Sequence, residues 1–135
     1  MISEAIDEEA YILDKNYSKI FLLGGSQGCA MALYVALHKS EKIGGVIGIC
    51  GYLMKEIVLS DCLSKKDLPI LLLHSKKDEL VPFKDAMESY KRFEHEKFIK
   101  VHILPQEEGM HDLLSEQVDL SYLFLKMKTG CMNSL

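Results

Sequence analysis

The sequence predicts an α/β fold, a three-layer αβα arrangement on a mostly parallel sheet of about four strands. Three observations predict it. Uncharged apolar runs of strand length occur at residues 20–23, 44–51 and 68–74. Segments with three- and four-residue apolar spacing precede the first run, separate it from the second and follow the third. Strands that are apolar on both faces and alternate with helices need cover on both sides of a parallel sheet. The 135 residues suffice for one modest core, so residues 1–135 read as a single domain.

Residues 3–17 read as an amphipathic helix, with Ile2, Ile6, Ala10, Leu13 and Tyr17 on one face and acids on the other. Asn16, Tyr17 and Ser18 break it before a buried strand at residues 19–23. Residues 27–39 form the next helix, apolar nearly all round and therefore expected to be buried, with Gly28, Ala32 and Ala36 as a flat stripe against the sheet. Residues 44–51 are the second buried strand. Residues 53–59 are compatible with a short helix and 60–66 with a loop. Residues 68–74 form the third strand, with Pro69 at its start, where a missing N–H is tolerated. Pro82 opens a helix to about residue 94 carried by Phe83, Met87, Tyr90 and Phe93. Residues 97–104 contain the fourth strand. A last helix begins near Asp112, its N-cap, and runs to about Lys128 with Leu114, Val118, Tyr122 and Leu125 on one face.

Composition narrows the function. The chain is 48% hydrophobic and 27% charged with net charge −4, and it has no basic run, which argues against a nucleic-acid partner. No apolar stretch reaches the length of a membrane span. The acidic first residues carry no secretory pattern, so a cytoplasmic setting is expected. Cys29, Cys50, Cys62 and Cys131 have no metal spacing, and Cys29 and Cys50 read as small core residues. Met31, Met54, Met87, Met110 and Met127 read as packing residues. There is no internal repeat.

Chemistry is expected where parallel strands end, at their carboxyl edge. After the first strand stands Gly24-Gly25-Ser26-Gln27-Gly28, a G-x-S-x-G pattern between strand and helix. Residues without Cβ two positions either side of the serine let the two backbones approach. The Gln27 N–H, at a helix N-terminus, can donate to a developing oxyanion. A phosphate-cradling turn is the alternative, without the lysine of a P-loop. Asp78 follows the third strand and His111 the fourth. Serine needs an imidazole to take its proton, and the imidazole needs a carboxylate to hold its tautomer. The order Ser, Asp, His is that of the α/β-hydrolases. Asp78 as an ordinary loop acid and His111 as a surface histidine remain the plain alternatives. His74 reads as structural, and His38, His95 and His102 as residues on helix or strand faces.

With Leu23 to Leu33, Gly44 to Leu53, His74 with Asp78, Val81 and Pro82, and Gly109 to His111, the chain resembles the phospholipase/carboxylesterase family, which includes acyl-protein thioesterases and lysophospholipases. The resemblance implies an α/β-hydrolase domain, truncated at its N-terminus, with Ser26 as nucleophile, His111 as general base and Asp78 as orienting acid. It implies a cofactor-free, metal-free hydrolase of carboxylic esters or thioesters, with S-acylated protein or lysophospholipid as possible substrates. By analogy alone, Met110 and Leu53 would line an acyl pocket. Three departures stand out. Ser75 replaces a glycine usual after His74, and a single residue, Met110, separates Gly109 from His111. The family's first strands, one of which carries a second oxyanion donor, have no counterpart here, leaving Gln27 as the one donor identified. The alternative function is a catalytically weak or inactive half-domain, from a truncated gene model or acting as an interaction module. Its strand at residues 19–23 would then be an exposed edge open to self-association.

Overall fold

The computed structural model describes residues 1–111 and 115–129. Among the described residues the elements run α1 (Ile2–Ile12), β1 (Phe21–Gly25), α2 (Gln27–His38), β2 (Gly45–Ile49), β3 (Ile70–Ser75), α3 (Phe83–His95), β4 (Val101–Gln106) and α4 (Ser115–Thr129), with no α-helix between β2 and β3. The strands form one sheet in the order β1-β2-β3-β4, and all three pairings are parallel. The three-layer αβα arrangement on four strands is therefore present.

Successive strand residues face opposite sides of the sheet, so each face builds its own core. Val46, Ile70 and Leu72 join Ile6, Ala10, Leu33, Ala36, Tyr90 and Phe93, which places α1, α2 and α3 on one side. Ile47, Ile49, Leu71 and Leu73 join Phe124 of α4 on the other. Both central strands, β2 and β3, are buried along their whole length. Pro105 lies within β4, where an edge strand tolerates a missing donor.

Several elements differ from expectation, each for a local reason. Helix α1 stops at Ile12, because Asp14 and Lys15 turn into the left-handed region (φ 56° and 60°). Tyr17 and Lys19 fall in a 3-10 turn instead. The first strand begins and ends two residues later than expected, and it is not buried: β1 is a sheet edge, and Leu23 is 61% exposed. Helix α2 is not covered all round, since Met31 and Tyr34 face outward. Residues 53–58 form no helix. Arg92 of α3 instead donates to the carbonyls of Met54 (3.0 Å) and Ile57, the Leu53 N–H goes to Ser89 Oγ (3.0 Å), and Leu53 and Ile57 are buried. Two 3-10 turns, Leu59–Asp61 and Leu63–Lys65, follow.

The buried face of α4 is also not the expected one. Val118 and Tyr122 are exposed and Leu125 packs against the core as expected, while Gln117, Ser121 and Phe124 are the buried residues. The polar pair is tolerated because its groups are bonded: Gln117 donates to Gln106 Oε1 (3.2 Å) and Ser121 to the Gln117 carbonyl (2.7 Å). Of the methionines, Met54 and Met87 pack against the core, whereas Met31, Met110 and Met127 are exposed. The expected Asp112 cap, Leu114 and Cys131 lie outside the described residues.

Candidate active site

Strand β1 ends at Gly25, and Ser26 makes the turn into α2 with φ 54° and ψ −121°. A non-glycine residue there carries strain of order 1–3 kcal/mol, which surrounding structure must hold in place. The Ser26 N–H donates to the Ile49 carbonyl at the end of β2 (2.8 Å), and the Ser26 carbonyl accepts from Cys29 N–H (3.1 Å). Serine at an N-cap ordinarily turns its hydroxyl back to the helix. Here Ser26 makes no such bond, and its Oγ points elsewhere.

The tight turn needs a glycine on one side only. A Cβ on Gly24 would lie 2.2 Å from the Gly28 carbonyl oxygen, whereas a Cβ on Gly28 would meet nothing within 4 Å. The start of α2 thus lies close against β1 as expected, but through the Gly28 backbone meeting Gly24, while the side-chain position of Gly28 points into open space. Gly28 is exposed and, with Leu22, Leu23, Gly24, Gln27, Met31 and Ile2, lines an open groove of about 470 Å³ beside β1.

The sheet brings the three separated residues together. Ser26 Oγ lies 2.8 Å from His111 Nε2, and His111 Nδ1 lies 2.8 Å from Asp78 Oδ2. The other carboxylate oxygen of Asp78 accepts the N–H groups of Leu80 (3.0 Å) and Val81 (2.9 Å). Asp78 is buried, with its side chain fully covered, while the His111 side chain is 18% exposed. Burial works to raise the Asp78 carboxyl. The hydrogen bond from His111, the Val81 N–H and the neighbouring histidines outweigh it, and the group is held below its ordinary 3.8. Asp78 is therefore the anionic end of a chain of hydrogen bonds running to a serine hydroxyl. Gln27, the first residue of α2, follows the serine directly and is exposed.

Neighbouring side chains hold this arrangement. His74, fully buried at the end of β3, donates Nε2–H to the Val81 carbonyl (2.7 Å) and lies 3.5 Å from Asp78 Oδ2, consistent with the structural part expected for it. Two further neighbours of the site were hidden in the sequence. Ser75 reads there only as a departure, yet its buried hydroxyl faces the carbonyls of Glu108 (3.1 Å) and Gly109. Cys50 reads as core and is buried, but its thiol also lies within 4.8 Å of Asp78 and His111. Burial first, and the Asp78 charge second, raise that thiol above its ordinary value. Cys50, Asp78 and His111 are donor types that could hold a metal ion. Both imidazole nitrogens are engaged by Ser26 and Asp78, so an ion would have to break that chain. Of the two residues assigned by analogy to an acyl pocket, Leu53 is buried in the core cluster and Met110 is exposed beside His111.

A serine on a strained strand-to-helix turn, at the carboxyl edge of a covered parallel sheet, belongs to the architecture of the α/β-hydrolases. The chain is a member of one branch of them: the family described as Phospholipase/Carboxylesterase matches residues 1–129, and the chain belongs to it. Acyl-protein thioesterase 1 of Schizosaccharomyces pombe is 30% identical over 131 residues, covering 96% of this chain and 58% of that protein. Acyl-protein thioesterase 1 of Aspergillus fumigatus is 39% identical over 74 residues, covering 49% of this chain and 29% of that protein. The fold matches Arabidopsis thaliana SOBER1 with a TM-score of 0.73 at 20% identity, over 93% of this chain and 63% of that one. It matches Zea mays acyl-protein thioesterase 2 with a TM-score of 0.72 at 21% identity, over 93% of this chain and 65% of that one. The chain thus spans well under two thirds of the length of the curated relatives it matches.

Proposed function

We propose that the chain is a serine hydrolase of carboxylic esters or thioesters. The single observation that carries this reading is the hydrogen-bonded chain from Ser26 through His111 to Asp78, 2.8 Å at each link. Ser26 attacks the acyl carbonyl while His111 Nε2 takes its proton, and Asp78 holds His111 in the tautomer with hydrogen on Nδ1. His111 then returns the proton to the leaving alcohol or thiol, and water resolves the acyl-enzyme by the same route. Gln27 N–H is the oxyanion donor that the helix supplies. Such a donor is worth about 10²–10³ in rate. The thioesterase names of the relatives support acyl substrates, S-acylated protein among them. Neither a cofactor nor a metal is part of the mechanism, and the proposed setting is cytoplasmic.

The test is hydrolysis of a p-nitrophenyl ester and of an acyl thioester by the wild-type chain and by Ser26→Ala. Activity in the wild type that Ser26→Ala abolishes supports the reading. Equal rates in both, at the level of buffer, refute it. The exposed edge favours a second reading, a weak or inactive module that associates through β1, where Leu23 is 61% exposed. Sedimentation at micromolar concentration separates the two, since a monomer with serine-dependent activity excludes the second.

A further inference from the structure

Strands β3 and β4 end level with each other, Ser75 opposite Gln106, and the Lys76 N–H closes the ladder on the Gln106 carbonyl (2.8 Å). Beyond this point the two chains part into the loops that carry Asp78 and His111. Asp78 is three residues past Ser75, and His111 is two residues past Gly109, which turns with φ 83°. We infer that Ser75 is a positioning residue for His111, its hydroxyl tying the Asp78 loop to the His111 loop. The inference rests on the proposed roles of Ser26, Asp78 and His111.

Ser75 is completely buried. Its oxygen accepts the Lys77 N–H (3.1 Å), within the Asp78 loop. Its single proton is directed at the Glu108 carbonyl (3.1 Å) and the nearer Gly109 carbonyl, within the His111 loop. The same two loops are joined outside by ion pairs, Lys76 with Glu107 (2.5 Å) and Lys77 with Glu108 (3.1 Å). Those charges are largely exposed, and such pairs contribute little. The covered hydroxyl is the tie that solvent does not weaken. With only Met110 between Gly109 and His111, a shift of the Gly109 carbonyl passes almost undiminished to the imidazole. A displacement of about 1 Å in a reacting group costs about 10²-fold in rate.

The experiment compares the wild-type chain with Ser75→Ala, which removes the hydroxyl, and Ser75→Cys, which fills the space with a feebler donor. Two readouts are taken: the rate at which a fluorophosphonate labels Ser26, and the downfield NMR proton signal of a His111 Nδ1–H bonded to Asp78. Expected are labelling about 10- to 100-fold slower in Ser75→Ala, an intermediate rate in Ser75→Cys, and a lost or broadened His111 signal, with thermal unfolding still cooperative. Wild-type labelling and signal in both variants, or slowing no greater than the unfolded fraction, overturn the inference. If Ser75→Ala does not fold, Ser75→Cys decides on the same terms. If the wild type is not labelled, the proposed function fails on its own; the His111 signal still decides for Ser75, being lost in the variants if the tie positions it and unchanged if it does not. Absence of both labelling and signal in the wild type overturns both.

Discussion

Asp78 meets His111 with one carboxylate oxygen, Oδ2 to Nδ1 at 2.8 Å, and keeps the other for the N–H groups of Leu80 and Val81. That division fixes the outcome of Asp78→Asn. The amide oxygen stays with the two N–H donors, and the amide NH₂ turns to His111. A donor at that position forces the imidazole proton onto Nε2, which can then no longer accept from Ser26. Serine-dependent hydrolysis is expected to fall about 10⁴-fold with the fold intact, measured as kcat/KM beside a circular dichroism melt.

The same carboxylate makes stability depend on pH. Its folded-state pKa is depressed below the ordinary 3.8, so the unfolded chain binds the proton more readily. The stabilisation is present above 3.8 and is lost as pH falls through the folded-state value. Urea midpoints measured from pH 6 downward should fall more steeply below about pH 4 in the wild type than in Asp78→Asn. Parallel curves would contradict a charged, bonded Asp78.

The two outer glycines of the turn should answer differently to alanine. Gly24→Ala drives a methyl to 2.2 Å from the Gly28 carbonyl and should cost about 1–3 kcal/mol. Gly28→Ala meets nothing and sits early in α2, where alanine is favoured by up to about 1 kcal/mol. Chemical denaturation of both variants checks the contrast, and equal losses would place the helix wrongly against the turn.

Much of this was readable from the chain, and the misses share a cause. The runs that became β2 and β3 are uncharged because both their faces are covered, which makes them legible. The turn at Ser26, with Asp78 and His111 at later strand ends, could be read from order alone, because a parallel sheet delivers its strand ends to one edge. Periodicity misled where long-range bonds decide the environment. Val118 and Tyr122 share helical spacing, but the bonded pair Gln117 and Gln106 turned α4 to bury another face. Residues 53–58 have helical composition, but Arg92, some 35 positions later, takes their carbonyls. Ser75 carries no local signal, because its partners Glu108 and Gly109 belong to another strand's loop.

The edge strand yields a prediction about association. Leu23, exposed beside the groove on β1, should promote pairing between copies. Leu23→Lys should shift the sedimentation profile toward monomer at equal protein concentration, with thermal unfolding still cooperative. An unaltered profile would remove β1 from any role in association.

The central claim is that Ser26 is the group His111 and Asp78 activate, and one measurement reaches it directly. A fluorophosphonate is applied to the wild-type chain, to His111→Ala and to Ser26→Ala, and the adduct is located by peptide mapping. The account predicts a single adduct on the peptide containing Ser26, slowed at least 10²-fold in His111→Ala and absent from Ser26→Ala. An adduct that persists in Ser26→Ala, or a wild-type labelling rate that does not depend on His111, would contradict it.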